Sequence, residues 1–240
     1  MWRAMSYPDL KGQIAIVTGA SSGIGYRTVE RLAEEGSRVV AVARSGDPLS
    51  ELENRFPDQV VACPGDLTDE PFIDGVFDTT EKRFGPCTIL VNNAGSVVVR
   101  TITKMTPDEW DEIFAVNVRA IYLASRRAVR PMAASGKGTI INVASISGVH
   151  GSSKFPATTA YSASKGAVIA FTEALAAELQ DKGVRVNAIS PGSVDTPMLR
   201  RANPLARPDM TPDEIANVIL FLASEQSRPI NGQNLHVYGA

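Results

Sequence analysis

Gln13-Ile14-Ala15-Ile16-Val17 runs directly into Thr18-Gly19-Ala20-Ser21-Ser22-Gly23-Ile24-Gly25, and an amphipathic stretch follows from about Tyr26 to Glu35. The first segment, rich in β-branched side chains and uncharged, reads as a short buried strand, and the last has the apolar spacing of a helix. A glycine-rich turn between a strand and a helix is the context in which glycines mark a phosphate site. Gly19 lets the chain turn sharply, Gly23 leaves room for a pyrophosphate against the backbone, and Gly25 allows the helix to pack closely on the strand. The helix start adds unpaired N–H groups and the positive end of its dipole. A plain βα turn would need one glycine and not three, so this loop, with Ser21, Ser22 and Ile24, is expected to hold a phosphate-bearing ligand.

Working outward, strand-like runs fall near residues 13–18, 37–43, 59–63, 88–92, 138–144, 184–190 and 234–237, with helical patterns between most of them. That alternation predicts an α/β protein with a seven-stranded, parallel, doubly wound sheet flanked by helices, its ligand crevice at the strand C-termini. At 240 residues and 44% hydrophobic content the chain can bury one large core, so residues 1–240 read as one domain. No internal repeat or interdomain linker interrupts it. The proline-dense span Asn203 to Pro212 reads as an excursion over the crevice, part of a short lid at about residues 197–212.

Further along, Tyr161-Ser162-Ala163-Ser164-Lys165 opens an alanine-rich helical stretch. Positions four apart lie one turn apart on one helix face, so the Lys165 ammonium can lie near the Tyr161 phenol. A cation there favours the phenolate and brings a group that ionises near pH ~10 toward the range useful to a general acid or base. Taken alone, the spacing also fits many surface helices.

The loop spacing TGxxxGxG together with YxxxK resembles the short-chain dehydrogenase/reductase family, and the resemblance covers about Leu10 to Val237. Other segments match in order. Leu90-Val91-Asn92-Asn93-Ala94-Gly95 is similar to the family's segment that closes over the adenine-ribose side of the cofactor. Asn117 matches a helix asparagine that holds a water linked to the lysine. Ile140 to Ser145 matches the strand carrying the catalytic serine. Ser190 to Pro197 matches the segment that grips the nicotinamide carboxamide. The resemblance implies a single Rossmann-type domain that transfers a hydride between nicotinamide and a carbonyl or secondary alcohol. It implies a catalytic set of Asn117, Ser145, Tyr161 and Lys165. In reduction, Tyr161 gives a proton to the developing alkoxide while Ser145 hydrogen-bonds that oxygen. Lys165 lowers the tyrosine pKa and binds the nicotinamide ribose, and Asn117 completes a proton path through water. Cofactor contacts are expected at Gly19, Ser21, Ser22, Gly23, Ile24, Gly25, Asn93, Ala94, Gly95, Tyr161, Lys165, Pro191, Gly192, Val194 and Thr196, and at Asp66 and Leu67. Asp66 alternatively caps a turn before the helix at Glu70.

Cofactor choice is read at the end of the second strand. Ala43 stands where NAD-preferring relatives carry an aspartate, and Arg44 follows. A guanidinium can stack on adenine and pair with a 2′-phosphate, so NADP(H) is expected over NAD(H). The plainer view of Arg44 is a solvated loop arginine, and Ser22 leaves the glycine loop without a second basic residue. An NAD(H)-dependent alcohol dehydrogenase, or a cofactor-binding regulator without turnover, are the alternatives.

The stretch from Ile146 to Ala160 is longer than the family commonly shows, which makes Ser147 a rival of Ser145, with Ser152 and Ser153 remoter ones. Ser145 is preferred because it ends the strand, and Ser147, Met198 and Leu199 are then expected to line the substrate pocket. His150 is expected to be an exposed loop residue without a role, and Trp110 a core anchor. Arg126, Arg127 and Arg130 form either a solvated face with carboxylate partners or a dock for an acidic carrier protein. Arg200, Arg201 and Arg207 flank the lid, where they are ordinary loop arginines or readers of an anionic substrate.

A net charge of −2 gives no electrostatic case for nucleic acid or an anionic membrane. No run of apolar residues reaches membrane-spanning length, and Met1 to Ser6 lacks the apolar run of a signal peptide. Two cysteines, Cys63 and Cys87, read as free thiols in a reducing cytoplasm, and two histidines make a metal cluster improbable. The family analogy implies a homotetramer, with a dimer next. Ala163, Ala167, Ala170, Ala174 and Ala177 pack either against a partner helix or against the chain's own sheet.

Overall fold

A computed structural model describes residues 6–239, so the reading of Met1 to Met5 lies outside the described residues. Each expected strand is present. They are β1 (Ile14–Thr18), β2 (Arg38–Ala43), β3 (Val60–Pro64), β4 (Ile89–Asn92), β5 (Gly138–Val143), β6 (Val184–Pro191) and β7 (Asn234–Val237). All pair in parallel in the order β3-β2-β1-β4-β5-β6-β7. The central strands are buried from end to end, because helices cover both faces, and this explains their nearly continuous apolar composition.

The helices are α1 (Gly23–Glu34), α2 (Gly46–Arg55), α3 (Glu70–Arg83), α4 (Pro107–Phe114), α5 (Ala120–Ser135), α6 (Thr159–Glu178), α7 (Pro197–Ala202) and α8 (Pro212–Ala223). Alternating strand residues feed two cores. Val17, Val39 and Val91 meet Leu32 of α1, Leu52 of α2 and Ile219 of α8. Ile16, Val40 and Leu90 meet Phe77 of α3, Leu123 of α5 and Ala176 of α6 on the other side. Strand order reverses between β1 and β4, so the loops leaving these neighbours diverge and open a crevice at their C-terminal ends.

Several local expectations change. Helix α1 begins at Gly23, three residues before the amphipathic pattern, because the turn itself supplies the first helical residues. Trp110 is half-buried and stacks on Phe114 at 4.8 Å between ring centroids, and the buried anchor of α4 is Ile113. The alanine stripe of α6 faces outward, with Ala163, Ala170, Ala174 and Ala177 exposed, so it does not pack on the chain's own sheet. Arg126 is paired with Glu70, and Arg127 with Asp74 at 2.9 Å and Asp78 at 2.6 Å, which gives these two the carboxylate partners of a solvated face, while Arg130 is exposed. Cys63 and Cys87 are free, and burial pushes the Cys87 thiol up to about 12. Among the described residues no helix is long and apolar enough to cross a membrane.

Candidate active site

The glycine turn is shaped by what stands behind it. Gly19 has φ +67°, and a Cβ there would lie 2.7 Å from the Ala94 Cα. Thr18 holds this junction closed: its hydroxyl donates to the Val91 carbonyl and accepts from the Asn93 and Ala94 N–H groups. The Asn93 side chain donates back to the Thr18 and Gly19 carbonyls at 3.0 and 3.2 Å. Asn93 therefore positions the loop with its side chain and lines the crevice beside it. Gly25 lies outside the crevice lining, where a Cβ would meet the Gly19 carbonyl and the Asn93 amide at 2.4 Å. Ser22 caps α1 with no side-chain hydrogen bond, whereas α4 and α8 close their starts with capping boxes. The first N–H groups of α1 are thus left for a ligand, and a backbone cradle closed to Cβ atoms with a free helix start fits a dinucleotide pyrophosphate.

The crevice over this turn has a volume of about 1070 Å³. Gly19, Ser21, Ser22, Gly23, Ile24, Arg44, Asp66, Leu67, Asn93, Ala94, Gly95, Pro191, Gly192, Val194 and Thr196 all line it, as do Ser145, Ser147, Tyr161, Lys165, Met198 and Leu199. Arg44 is exposed on its wall, and its charge helps to lower the Asp66 carboxyl, although the Thr68 N–H and hydroxyl bonded to Asp66 are the larger causes. Asp66 therefore caps its turn and also faces the crevice.

At the other end of the crevice, β5 delivers Ser145 and α6 delivers Tyr161 and Lys165. Ser145 starts a 3₁₀ turn (Ile146–Gly148), and its hydroxyl accepts from the Ser147 N–H at 3.1 Å. That turn lies hard on α6, where a Cβ on Gly148 would sit 2.4 Å from the Lys165 carbonyl carbon. Burial raises the Tyr161 pKa, and a hydrogen bond with Ser145 pulls it the other way. The Lys165 ammonium lies 5.9 Å from the Tyr161 ring centroid and donates to the Val143 carbonyl at 2.7 Å. Desolvation lowers Lys165 to about 8. The ammonium is held against the strand by the Val143 carbonyl, and burial is the largest influence on the Tyr161 phenol.

Asn117 is fully buried behind the crevice, in a single π-helical turn (Ala115–Arg119) between α4 and α5, a distortion frequent at functional sites. Its Oδ1 accepts from the Ser96 N–H at 2.7 Å, and its Nδ2 donates to the Ser96 carbonyl and the Ser164 hydroxyl, both at 2.9 Å. Ser164 in turn donates to the Tyr161 carbonyl. A Cβ on Gly95 would lie 3.5 Å from both Asn117 Oδ1 and Lys165 Nζ, so the three groups converge at one point.

The rival serines separate clearly. Ser152 spends its hydroxyl on the Ile146 and Val149 carbonyls, and neither it, Ser153 nor His150 lines the crevice. Beyond the strand ends, Val97, Val99, Glu112, Phe155 and Pro156 join the wall. Nothing in their sequence pattern marks them, because loop residues reach the crevice only through the path of their loops. The lid is a helix followed by a return. Met198 and Leu199 ride on α7, and an isolated bridge of Val194 with Met210 pins the base of the excursion. Arg200 is held by Asp195 through two hydrogen bonds of 2.9 Å, Arg201 lines the crevice, and Arg207 is exposed.

Comparison with known proteins agrees with this geometry. The family pattern described as short chain dehydrogenase matches residues 13–206. A 3-oxoacyl-[acyl-carrier-protein] reductase of Thermotoga maritima is 34% identical, over 96% of this chain and 98% of its own length. An uncharacterised oxidoreductase of Staphylococcus aureus is 36% identical, over 95% and 97%. Among solved structures, a Brucella melitensis 3-ketoacyl-(acyl-carrier-protein) reductase complexed with NADH superposes with a TM-score of 0.88 at 34% identity, covering 96% of this chain and 98% of that one. Levodione reductase also gives 0.88, at 26% identity, over 95% and 96%.

Proposed function

The chain belongs to the short-chain dehydrogenase family and is thus an oxidoreductase of alcohol and carbonyl groups with a nicotinamide cofactor; on that premise we propose that it is an NADP(H)-dependent carbonyl reductase with Tyr161 as general acid and base. The observation that carries the proposal is the Tyr161 phenol, faced by the Lys165 ammonium and lining the crevice together with Ser145. The α1 start and its glycine turn would hold the cofactor's phosphates, and Arg44 its 2′-phosphate. When bound, the nicotinamide supplies or accepts the hydride. Ser145 orients the substrate oxygen by hydrogen bonding and stabilises charge growing on it. Tyr161, kept protonated near neutral pH by burial, donates its proton to that oxygen. Lys165, lowered to about 8, remains mostly charged at neutral pH and supports the phenolate as it forms. Asn117, bonded to Ser96 and Ser164, fixes the wall beside the lysine. NAD(H) use is the second reading, favoured by the NADH named for the Brucella relative. A homotetramer is supported by the outward alanine stripe of α6.

The test is NADPH oxidation against a panel of ketones, with Tyr161→Phe as the control. Loss of the acid should cost about 10²- to 10⁴-fold in kcat while cofactor binding persists. A Tyr161→Phe enzyme as fast as the parent would remove the tyrosine from the chemistry.

A further inference from the structure

Four buried polar residues line the crevice: Ser145, Ser147, Thr158 and Lys165. Three of them are occupied. Ser145 accepts from the Ser147 N–H at 3.1 Å, Thr158 donates to the Phe155 carbonyl at 2.7 Å, and Lys165 donates to the Val143 carbonyl. Ser147 is different. It is 6% exposed, its backbone N–H is spent on Ser145 Oγ, and its own hydroxyl has no partner among the described residues. Among those residues the one side-chain polar atom both sealed from solvent and without a hydrogen bond is Arg31 Nε, so the Ser147 hydroxyl opens onto the crevice. It is also held firmly, because Gly148 presses the 3₁₀ turn onto the α6 backbone. The same crevice is lined by apolar Val97, Ile146, Phe155 and Met198. A buried hydroxyl left open to such a crevice favours a ligand atom that satisfies it.

We propose that Ser147 determines specificity by hydrogen bonding a second oxygen of the substrate, close to the carbonyl that Ser145 and Tyr161 address. The substrate class is then a ketone with an apolar body and a second oxygen on the adjacent carbon or one carbon further. This rests on the reductase reading above. The reacting carbonyl carbon takes a hydride from the reduced nicotinamide, its oxygen takes a proton from Tyr161, and the second oxygen keeps its bonds throughout.

The experiment compares Ser147→Ala with the parent enzyme on substrates matched in length: a mono-ketone, a 1,2-diketone and a 1,3-keto ester. Each variant is checked by cofactor titration, which should be unchanged. Using the ratio of the two enzymes on each compound removes differences in intrinsic carbonyl reactivity. Ser147→Ala should lower kcat/KM about three- to tenfold on at least one dioxygenated compound and leave the mono-ketone within about twofold. Ser147→Thr, which keeps a hydroxyl, should recover part of the loss. Equal losses on all three compounds would assign Ser147 to the reacting carbonyl, and no loss on any would make it mere lining. Either result overturns the inference. A parent enzyme that turns over none of them with NADPH or NADH would overturn the reductase reading, and this inference with it.

Discussion

Replacing Lys165 with methionine should make the protein more stable at neutral pH, although it removes a group placed at the chemistry. The side chain is 3% exposed, and desolvation lowers its pKa from 10.5 to about 8. At neutral pH the lysine is charged in both the folded and the unfolded chain, and the folded chain bears the cost of burying that charge. The gap between the two pKa values is worth roughly 3 kcal/mol. Methionine fills nearly the same volume without charge, but it abandons the hydrogen bond to the Val143 carbonyl, at a cost of about 1 kcal/mol. The net expectation is a gain of about 2 kcal/mol near pH 7.

The pH dependence gives the prediction its edge. The folded pKa is depressed, so between about 8 and 10.5 the unfolded chain binds more protons than the folded one, and the parent gains stability as pH rises. Most of the advantage of Lys165→Met should therefore vanish by about pH 9.5. Tyr161 acts the other way only above its ordinary value of 10.0, since burial raises it, and it is present in both proteins. The assay is urea unfolding of parent and variant from about pH 6 to 9.5, reported as the difference at each pH. A difference that stays flat across that range, or a variant less stable at neutral pH, would refute the reasoning.

Arg44→Ala should lower kcat/KM for NADPH by about ten- to a hundredfold and leave NADH within about twofold, because the contact proposed for it is a charge-assisted one to the 2′-phosphate. Steady-state kinetics with both cofactors check this, and equal losses would remove Arg44 as the phosphate reader. Arg185→Met should cost about 2–4 kcal/mol in denaturant unfolding without changing kcat. The guanidinium of Arg185, at the start of β6, donates to the Thr139 hydroxyl, to Ser227 and to the Leu222, Ser224 and Ile230 carbonyls, binding the end of α8 to the sheet on the side away from the crevice.

Strands proved legible because a parallel sheet covered on both faces demands apolar runs such as Ile14 to Val17, and those runs are visible without knowledge of their neighbours. The glycine turn was equally open to reading, since each glycine answers a local steric demand. What stayed hidden depends on long-range placement. Trp110 reads as an anchor by size, yet which side of α4 meets the core is fixed by the turn of chain before it. Arg126 and Arg127 read as a basic face until α3 brings Glu70, Asp74 and Asp78 against them. The π turn at Asn117 leaves no mark in the spacing of its apolar residues, and the solitude of the Ser147 hydroxyl is a fact about every neighbour it lacks.

The polar residues inside this sheet explain how a rigid floor is obtained for such a site. Asn92 and Asn142 are directly paired across β4 and β5, and Asn92 donates to Asn142 at 2.9 Å and to Ser125 of α5. Asn142 passes a further hydrogen bond to Thr172 of α6. All four side chains are buried, so each would cost about 1–3 kcal/mol if left unsatisfied. Apolar residues would fill the same space with less risk, but they accept many packings of comparable energy. A continuous chain of hydrogen bonds through two strands and two helices accepts far fewer, because shifting either helix breaks a buried bond. The helix fixed in this way, α6, is the one that carries Tyr161 and Lys165, so the network converts hydrogen-bond geometry in the core into the position of the reacting groups.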